Sequence, residues 1–263
     1  MSGQPLAGRS IVVTRPAGQA EGLCDALSAL GARPLRFPLL TIAPVEDTAP
    51  IDAVAGRLDE FSLAFFVSPN AVAFGLEALS RRAPWPAGLR VATVGKGSEA
   101  ALAAHGHHQV IAPDSGFDSE AVLALPEFQA PAVAGKAVLI LRGDGGRDLL
   151  GDSLRERGAR VEYLTCYHRR GPVDDPAPLL ALAREGRLDA LTLTSSEGLG
   201  HLEALGGGHA FRGVPVFVPH ARIAERAKAA GLAPLILTGA GDSGLIDGLV
   251  AHFSASNHNT YPG

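Results

Sequence analysis

The chain has 263 residues, of which 46% are hydrophobic and 19% charged, and it carries a formal net charge of −4. This composition excludes a globally disordered chain and a protein that holds nucleic acid through a broad basic surface. Cys24 and Cys166 stand at no metal-ligand spacing and are typical of reduced thiols. The first ten residues lack the apolar core of a signal peptide, and no apolar stretch approaches the ~20 residues that span a membrane. We therefore expect a cytoplasmic protein without a membrane or nucleic-acid partner.

Short apolar runs alternate along the chain with segments of helical periodicity. In chain order the runs are IVV from Ile11, LAFFV from Leu63, VATV from Val91, AVLIL from Ala137, ALTL from Ala190, VFV from Val216 and LIL from Leu235. Such runs are typical of parallel strands buried on both faces. The segments between them carry apolar residues three and four apart and end in glycine, which predicts helices. The alternation predicts an α/β protein with parallel sheets covered by helices.

The same series of segments occurs twice. IVVTRPAGQAEGLCDALSALGARPLRFPLL resembles VLILRGDGGRDLLGDSLRERGARVEYLTCY, and three further blocks recur in the same order, each 124 to 127 residues later. Arg15 thereby corresponds to Arg142, and Leu40 to Tyr167. Four blocks in one order predict an internal duplication of a strand–helix unit, which gives two α/β domains with a cleft between them. Two proline-rich stretches, FPLLTIAPVEDTAP and TCYHRRGPVDDPAP, occupy equivalent places and indicate crossings between the domains. The residues alone allow either sequential or interleaved domains.

Gly239, Gly241 and Gly244 form a G-x-G-x-x-G pattern between an apolar run and a helix-like run. In dinucleotide-binding proteins this turn holds a pyrophosphate, and an acidic residue follows about 20 positions later at the next strand. Here the chain ends at about that distance. We therefore favour a glycine-rich strand-to-helix turn and expect no cofactor.

The turns after the predicted strands are small and polar, and each one opens a helix. Unpaired N–H groups at a helix start favour an anion, although for any one turn simple capping of the helix is the favoured explanation. Seven such turns predict a ligand with several carboxylates or phosphates. Arg15 and Arg142 at two strand ends are candidates for a carboxylate fork, with simple surface charge as the alternative. The candidate binding residues are Thr14, Arg15, Ser68, Asn70, Lys96, Ser98, Ser119, Arg142, Gly143, Arg147, Thr194, Ser195, Ser196 and Arg222.

Other catalytic patterns are missing from the sequence. It contains no G-x-S-x-G, H-E-x-x-H or Walker A motif, and the HGHH stretch at His105 favours a solvated surface over a metal site. Tyr167 is the candidate catalytic residue, because its hydroxyl can donate a proton or a hydrogen bond to a ligand in the cleft. The alternative is an amphipathic residue at the rim of the crossing strand.

With these residues together, the chain resembles the uroporphyrinogen-III synthase family over nearly its whole length. The resemblance rests on VTRPAGQ, FVSPNAV, VGKGSEAAL, GFDSEAVL, RGDGGRDLLGDSLRERGARV with YLTCYHR, and LTSSEGL, in this order. It implies two α/β domains of flavodoxin or Rossmann type joined by a two-stranded linker. Residues 1–36 with 173–263 would form one domain, residues 50–164 the other, and 37–49 with 165–172 the linker.

The resemblance also implies an activity. The family converts hydroxymethylbilane, a linear tetrapyrrole with eight carboxylates, into uroporphyrinogen III and water, with ring D inverted and without a cofactor. Tyr167 matches the family tyrosine proposed to assist loss of the hydroxyl, and the Ser/Thr-rich turns match its substrate-binding turns. The turn from Pro219 to Arg222 departs from the family pattern, and Arg222 is expected to take over the binding role that this turn has in the family. A monomer is expected, and a transient contact with the preceding pathway enzyme is left open. The alternative is a non-catalytic two-domain sensor that binds a tetrapyrrole or another anion.

Overall fold

The computed structural model describes residues 4–258, which form a mixed α/β fold with parallel sheets. Within these residues the strands are β1 Ser10–Val13, β2 Arg33–Arg36, β3 Thr41–Pro44, β4 Leu63–Phe66, β5 Arg90–Thr93, β6 Val110–Ile111, β7 Ala137–Gly143, β8 Arg160–Arg170, β9 Ala190–Thr192, β10 Val216–Val218 and β11 Leu235–Leu237. All seven apolar runs of the sequence lie at strands.

The helices fill the intervals between the strands. They are α1 Ala17–Ala29, α2 Ala49–Ala55, α3 Pro69–Ala71, α4 Glu77–Ser80, α5 Lys96–Ala104, α6 Ser119–Ala124, α7 Ala130–Val133, α8 Leu149–Glu156, α9 Ala177–Arg184, α10 Ser196–Ala204, α11 Gly207–Ala210, α12 Ala221–Ala229 and α13 Gly241–His258. A π-helical segment, Val72–Leu76, joins α3 to α4, and short 3-10 turns cover Leu58–Glu60 and Pro126–Phe128.

The chain divides into two compact units. Unit 1 combines the residues up to Thr41 with those from Arg170 onward, and unit 2 is Ile42–Arg169. The predicted linker segments 37–49 and 165–172 contain β3 and the end of β8. These two strands are neighbours in the sheet of unit 2, so residues 41–44 of the first segment and 165–170 of the second belong to regular sheet structure.

The sheet of unit 1 has the order β11-β10-β9-β1-β2, with parallel pairing throughout. The chain moves from β1 to one side and from β9 to the other, so the strand order reverses between these two strands. This is the flavodoxin-type order, in which ligands bind at the carboxyl ends of the two strands that flank the reversal. Two apolar clusters cover the two faces of the sheet.

The sheet of unit 2 has the order β3-β8-β7-β4-β5-β6. Here β7 and β8 take the places that β1 and β2 hold in unit 1, and β4 takes the place of β9. The order therefore reverses between β7 and β4. Alternate residues of β4 pack on opposite faces: Phe66 belongs to one apolar cluster and Phe65 to another. The carboxyl ends of β7 and β4 thus form the second edge at which the topology favours a ligand.

Candidate active site

A β-bulge sets the position of Tyr167 at the carboxyl edge of unit 2. Arg142 of β7 pairs with Thr165, but the next residue, Gly143, pairs with Tyr167, so β8 carries one extra residue here. Regular alternation would place Tyr167 on the same face as Tyr163. The bulge instead turns Tyr167 to the opposite face, where it packs with Cys166 and Leu164, while Tyr163 packs on the other face.

Tyr167 is held on three sides. Its ring lies over Gly143, where an added Cβ would stand 2.4 Å from Tyr167 Cε2. The ring of Phe74 lies beside it, with 5.9 Å between the ring centroids. The Tyr167 hydroxyl is 3.1 Å from Ser68 Oγ, and either oxygen can be the donor. Tyr167 is only 1% exposed, whereas its hydrogen-bond partner Ser68 is half-buried.

Ser68 begins the helix that follows β4. Its Oγ accepts a hydrogen bond of 3.1 Å from the N–H of Ala71, the capping arrangement expected for serine at this position. The helix then widens into its π-helical segment, and Gly75 packs so closely that an added Cβ would stand 2.6 Å from Leu141 Cδ2 and 3.1 Å from Cys166 Sγ. π-helical turns are frequent at functional sites. This segment brings Phe74 against Tyr167.

Cys166 lies beside Tyr167 in the interior. Burial raises the pKa of its thiol to about 12. The thiol is therefore neutral at physiological pH and serves as a packing group rather than a nucleophile.

A pocket of about 290 Å³ lies on the other face of the same edge. Three predicted binding residues meet there: Arg142, Arg147 and Ser119. Arg142 donates a hydrogen bond of 2.7 Å to Asp148, and its guanidinium lies 4.0 Å from the centre of the Tyr163 ring. Burial raises the pKa of Tyr163, and the Asp148 carboxylate acts in the same direction. We call this site the arginine pocket; the side chains that line it are Phe65, Val67, Val94, Phe117, Asp118, Ser119, Ile140, Arg142, Arg147, Leu150 and Tyr163, with Gly145 and Gly146.

The edge of unit 1 uses its polar residues differently. Thr14 is buried, and its Oγ1 donates a hydrogen bond of 2.6 Å to the carbonyl oxygen of Thr192, which ties β1 to β9. Arg15 forms an ion pair with Asp242. The hydroxyl of Thr14 is thus occupied by a backbone contact and not presented to a ligand in this structure.

A hollow of about 520 Å³ opens above β9 and β10, and four predicted binding residues line it: Thr194, Ser195, Ser196 and Arg222. Ser195 caps α10 by accepting a hydrogen bond of 2.9 Å from the N–H of Gly198. Ser196 Oγ is, among the residues that the structure describes, the one buried side-chain oxygen or nitrogen without a hydrogen-bond partner. His220 also lines the hollow, in the turn from Pro219 to Arg222.

The remaining predicted residues are more scattered. Lys96 is exposed and its Nζ pairs with Glu99 at 2.8 Å, an ion pair that raises the pKa of Lys96. Ser98 is 2% exposed, on the inner side of α5, and is not open to a ligand in this structure. Asn70 is half-buried in α3, next to the Tyr167 site. The sequence patterns therefore selected residues at the carboxyl edges of the two sheets but did not separate exposed from buried hydroxyls.

The G-x-G-x-x-G turn lies between β11 and α13 and has a packing role. An added Cβ at Gly244 would stand 2.3 Å from the carbonyl oxygen of Gly239, so the loop and helix touch through their backbones. Asp242, inside the motif, is the residue that pairs with Arg15. The turn thus contributes an ion pair to the edge of unit 1.

Four residues of the Tyr167 site and the arginine pocket were not predicted from the sequence: Phe74, Phe117, Asp148 and Tyr163. Tyr163 had a detectable signal, because it precedes Tyr167 by four positions in the same predicted strand and is the only other tyrosine nearby. Phe117 stands in the polar GFDSE turn, where a large apolar side chain is unexpected. Phe74 gave no such signal, since its position follows from the π-helical segment.

Two further properties concern residues 4–258. No group of three or more His, Cys, Asp and Glu side chains in this range is arranged to hold a metal ion. Nor does any helix in the described range combine the length and apolar character of a membrane span.

His107 of the HGHH stretch packs against the Trp85 ring, with 5.1 Å between centroids.

The chain is similar in sequence to proteins of one known family. A family model described as Uroporphyrinogen-III synthase HemD matches residues 21–247. The uroporphyrinogen-III synthase of Salmonella typhimurium is 37% identical over 206 residues, covering 74% of this chain and 79% of that protein. The enzyme of Escherichia coli K12 is 34% identical over 197 residues, with the same two coverages of 74% and 79%.

Solved structures show the same fold. A mutant uroporphyrinogen III synthase from the extremely thermophilic bacterium Thermus thermophilus matches with a TM-score of 0.57 at 19% identity, covering 95% of this chain and 100% of that chain. Uroporphyrinogen-III synthetase from Helicobacter pylori matches with a TM-score of 0.58 at 15% identity, over 93% and 99% of the two chains. The family match and the two bacterial relatives decide the assignment: the chain belongs to the uroporphyrinogen-III synthase family.

Proposed function

We propose that this chain converts hydroxymethylbilane into uroporphyrinogen III and water, with inversion of ring D. The single observation that carries the proposal is the family match over residues 21–247. The positions of the predicted residues support it, because most of them lie at the carboxyl edges of the two sheets. A non-catalytic anion sensor is not favoured by this family.

The substrate's eight carboxylates would be bound locally, since the chain as a whole is negatively charged. Each unit has an arginine at the carboxyl end of the strand beside its order reversal: Arg15 in unit 1 and Arg142 in unit 2. Each is paired with one aspartate, which holds the guanidinium in place and leaves further N–H groups for a carboxylate. The hydroxyls of Thr194, Ser195 and Ser196 offer neutral donors.

Tyr167 is proposed as the source of the proton for the departing hydroxyl, acting through Ser68. The Ser68 O–H donates its proton to the leaving oxygen while the Tyr167 O–H donates to Ser68 Oγ. The C–O bond breaks, water leaves and an azafulvene cation remains. The proton later lost when ring D recovers its pyrrole form restores the tyrosine. A hydroxyl chain of this kind agrees with the burial of Tyr167 and the partial exposure of Ser68.

The remaining task is positioning. The substituted carbon of ring D attacks the cation to give a spirocyclic pyrrolenine, which fragments and closes again with ring D inverted. Holding a flexible reactant in one folded geometry lowers the activation free energy, because the reacting atoms are already close together and aligned. No cofactor is part of this proposal.

We further propose the domain organisation that the resemblance implies. Two interleaved domains, residues 1–36 with 173–263 and residues 50–164, arose by internal duplication and are joined by the segments 37–49 and 165–172. The matching strand orders of the two sheets support this, as does the division of the chain into units 1 and 2. A cytoplasmic monomer is part of the same proposal, as is a transient contact with the preceding pathway enzyme.

Product analysis tests the proposed activity. Purified protein receives freshly made hydroxymethylbilane, the product is oxidised, and the type I and type III isomers are separated. The proposal expects type III at a rate well above that of a buffer blank. Type I alone, at the rate of the blank, would contradict it and favour the sensor.

A further inference from the structure

Phe117 is an exposed aromatic residue in a strained backbone conformation. Its φ is +37°, the one positive value among the non-glycine residues that the structure describes, and its side chain is 52% exposed. The residue on either side is fixed: an added Cβ at Gly116 would stand 2.8 Å from Ala121 Cβ, and Asp118 caps α6 through the N–H of Ala121 at 2.8 Å. A bulky residue with positive φ is unfavourable, and burial of its ring does not offset this cost. The position of Phe117 is therefore unexplained by folding.

Phe117 lines the arginine pocket, which combines apolar side chains with two arginines. Phe65, Val67 and Ile140 belong to its lining, as do Arg142, Arg147 and Asp118. A volume of about 290 Å³ is at the small end of ligand sites, which run from about 300 to 1,000 Å³ for drug-sized molecules. The pocket therefore suits one small ring and not a whole tetrapyrrole.

The two arginines differ in how firmly they are held. Arg142 is fixed by Asp148 and by the face of Tyr163. Arg147 reaches Glu120 only at 3.3 Å, and both side chains are largely exposed. Exposed pairs of this kind contribute little, so Arg147 can exchange Glu120 for a ligand carboxylate. The pocket thus offers one guanidinium that is held in place and one that can change its partner.

We propose that the arginine pocket binds a single pyrrole ring of the substrate, with the ring against Phe117 and its two acid side chains on Arg142 and Arg147. This inference rests on the proposed function, because it takes the ligand to be a tetrapyrrole with acid side chains on every ring. It assigns unit 2 two neighbouring tasks: Tyr167 acts on one face of the sheet edge while the arginine pocket anchors a ring on the other.

Three variants test the assignment kinetically. Phe117→Asn removes the ring and relieves the strain, since asparagine adopts positive φ more readily. We expect its melting temperature to equal or exceed that of the wild type while KM rises about tenfold with kcat little changed. Arg147→Met should also raise KM about tenfold, the usual effect of losing a charge-assisted hydrogen bond. Arg81→Met, an exposed helical arginine paired with Glu77, is the matched control and should behave as wild type.

If Phe117→Asn and Arg147→Met both keep the wild-type KM, the assignment is wrong. A fall in melting temperature for Phe117→Asn would make Phe117 a structural residue and would overturn the proposal equally.

A second measurement separates this inference from the proposed activity. A pyrrole carrying one acetate and one propionate side chain is titrated to millimolar concentration into the full chain, followed by amide chemical shifts. We expect saturable shifts at residues 116–119 and 145–147 that are lost in Arg147→Met. Shifts elsewhere, or none, in a protein that still makes the type III isomer would overturn the pocket and leave the activity standing. Saturable shifts in a protein that makes no type III isomer would support the pocket and refute the activity.

Discussion

The two sheet edges share one strand order but differ at the residue proposed to be catalytic. In the repeat, Arg15 and Pro16 of unit 1 correspond to Arg142 and Gly143 of unit 2, and Leu40 corresponds to Tyr167. Both arginines pair with an aspartate. The next residue then diverges: Pro16 stands at the N-cap position of α1, whereas Gly143 leaves open the space that the Tyr167 ring fills.

This difference distinguishes the proposed roles of the two edges. A tyrosine at the edge requires a residue without a side chain beneath it, and only unit 2 has glycine there. Leu40 is half-buried, and the edge of unit 1 instead carries the threonine and serine hydroxyls of the 194–196 turn. We infer that unit 2 supplies the proton and anchors a ring, while unit 1 supplies neutral donors and one arginine.

The largest expected effect comes from Gly143→Ala. Its new Cβ would overlap the Tyr167 ring, so the ring must leave its place. Overpacking of this kind destabilises by about 1–3 kcal/mol, and we expect kcat to fall at least about hundredfold, the scale of positioned acid catalysis. Denaturant unfolding and steady-state assays measure the two effects.

A second substitution sharpens this prediction. Tyr167→Leu added to Gly143→Ala should recover most of the stability without recovering kcat. Pro16→Ala at the equivalent place in unit 1 is the matched control. An active Gly143→Ala protein would mean that the position of the Tyr167 ring is irrelevant to turnover.

Ser68→Ala tests the hydroxyl chain. If the proton passes through Ser68, kcat should fall about tenfold to a hundredfold while KM changes little. Loss of the helix cap adds about 1 kcal/mol of destabilisation. Ser68→Thr keeps both the hydroxyl and the cap and should keep the wild-type kcat. Full activity in Ser68→Ala would show that Tyr167 reaches the substrate without it.

Replacing the two arginines in turn compares the binding role of the edges. Arg15→Met and Arg142→Met should each raise KM about tenfold, because each loses one charge-assisted contact to a carboxylate. Neither should change kcat by more than a few-fold. An unchanged KM in one variant would confine anion binding to the other unit.

The smallest expected effect is a pH dependence of stability. Because burial raises the pKa of Cys166 to about 12, its contribution is fully present below the ordinary thiol value of 9.0 and is lost as the pH rises toward 12. At pH 10, one unit above the ordinary value, it has lost about 1.4 kcal/mol. Urea unfolding at pH 7.5 and pH 10 should show this loss in the wild type and in Cys24→Ala, but not in Cys166→Ala. An equal loss in Cys166→Ala would assign it to other groups.

Much of the fold could be predicted from the sequence, because buried parallel strands and their glycine-ended helices leave a strong periodic pattern. The edges that carry Arg15 and Arg142 follow from the same pattern. The burial of Tyr167 and Ser98 could not be predicted, since it depends on a one-residue bulge in β8 and on the inward face of α5. The positive φ of Phe117 is likewise invisible in a polar turn. Local register and tertiary contacts decide such details, and neither is encoded in spacing.

We propose that the Tyr167 hydroxyl, at the edge of unit 2, supplies the proton for loss of the substrate's hydroxyl. Tyr167→Phe removes that oxygen and keeps the ring on Gly143, so the fold should be unchanged. The decisive measurement is the turnover rate of this variant with hydroxymethylbilane, with the product isomers separated. We expect kcat to fall toward the low end of about 10²–10⁴-fold, with type III still the product. Near-wild-type turnover by a folded Tyr167→Phe protein would contradict it and leave positioning alone as the source of catalysis.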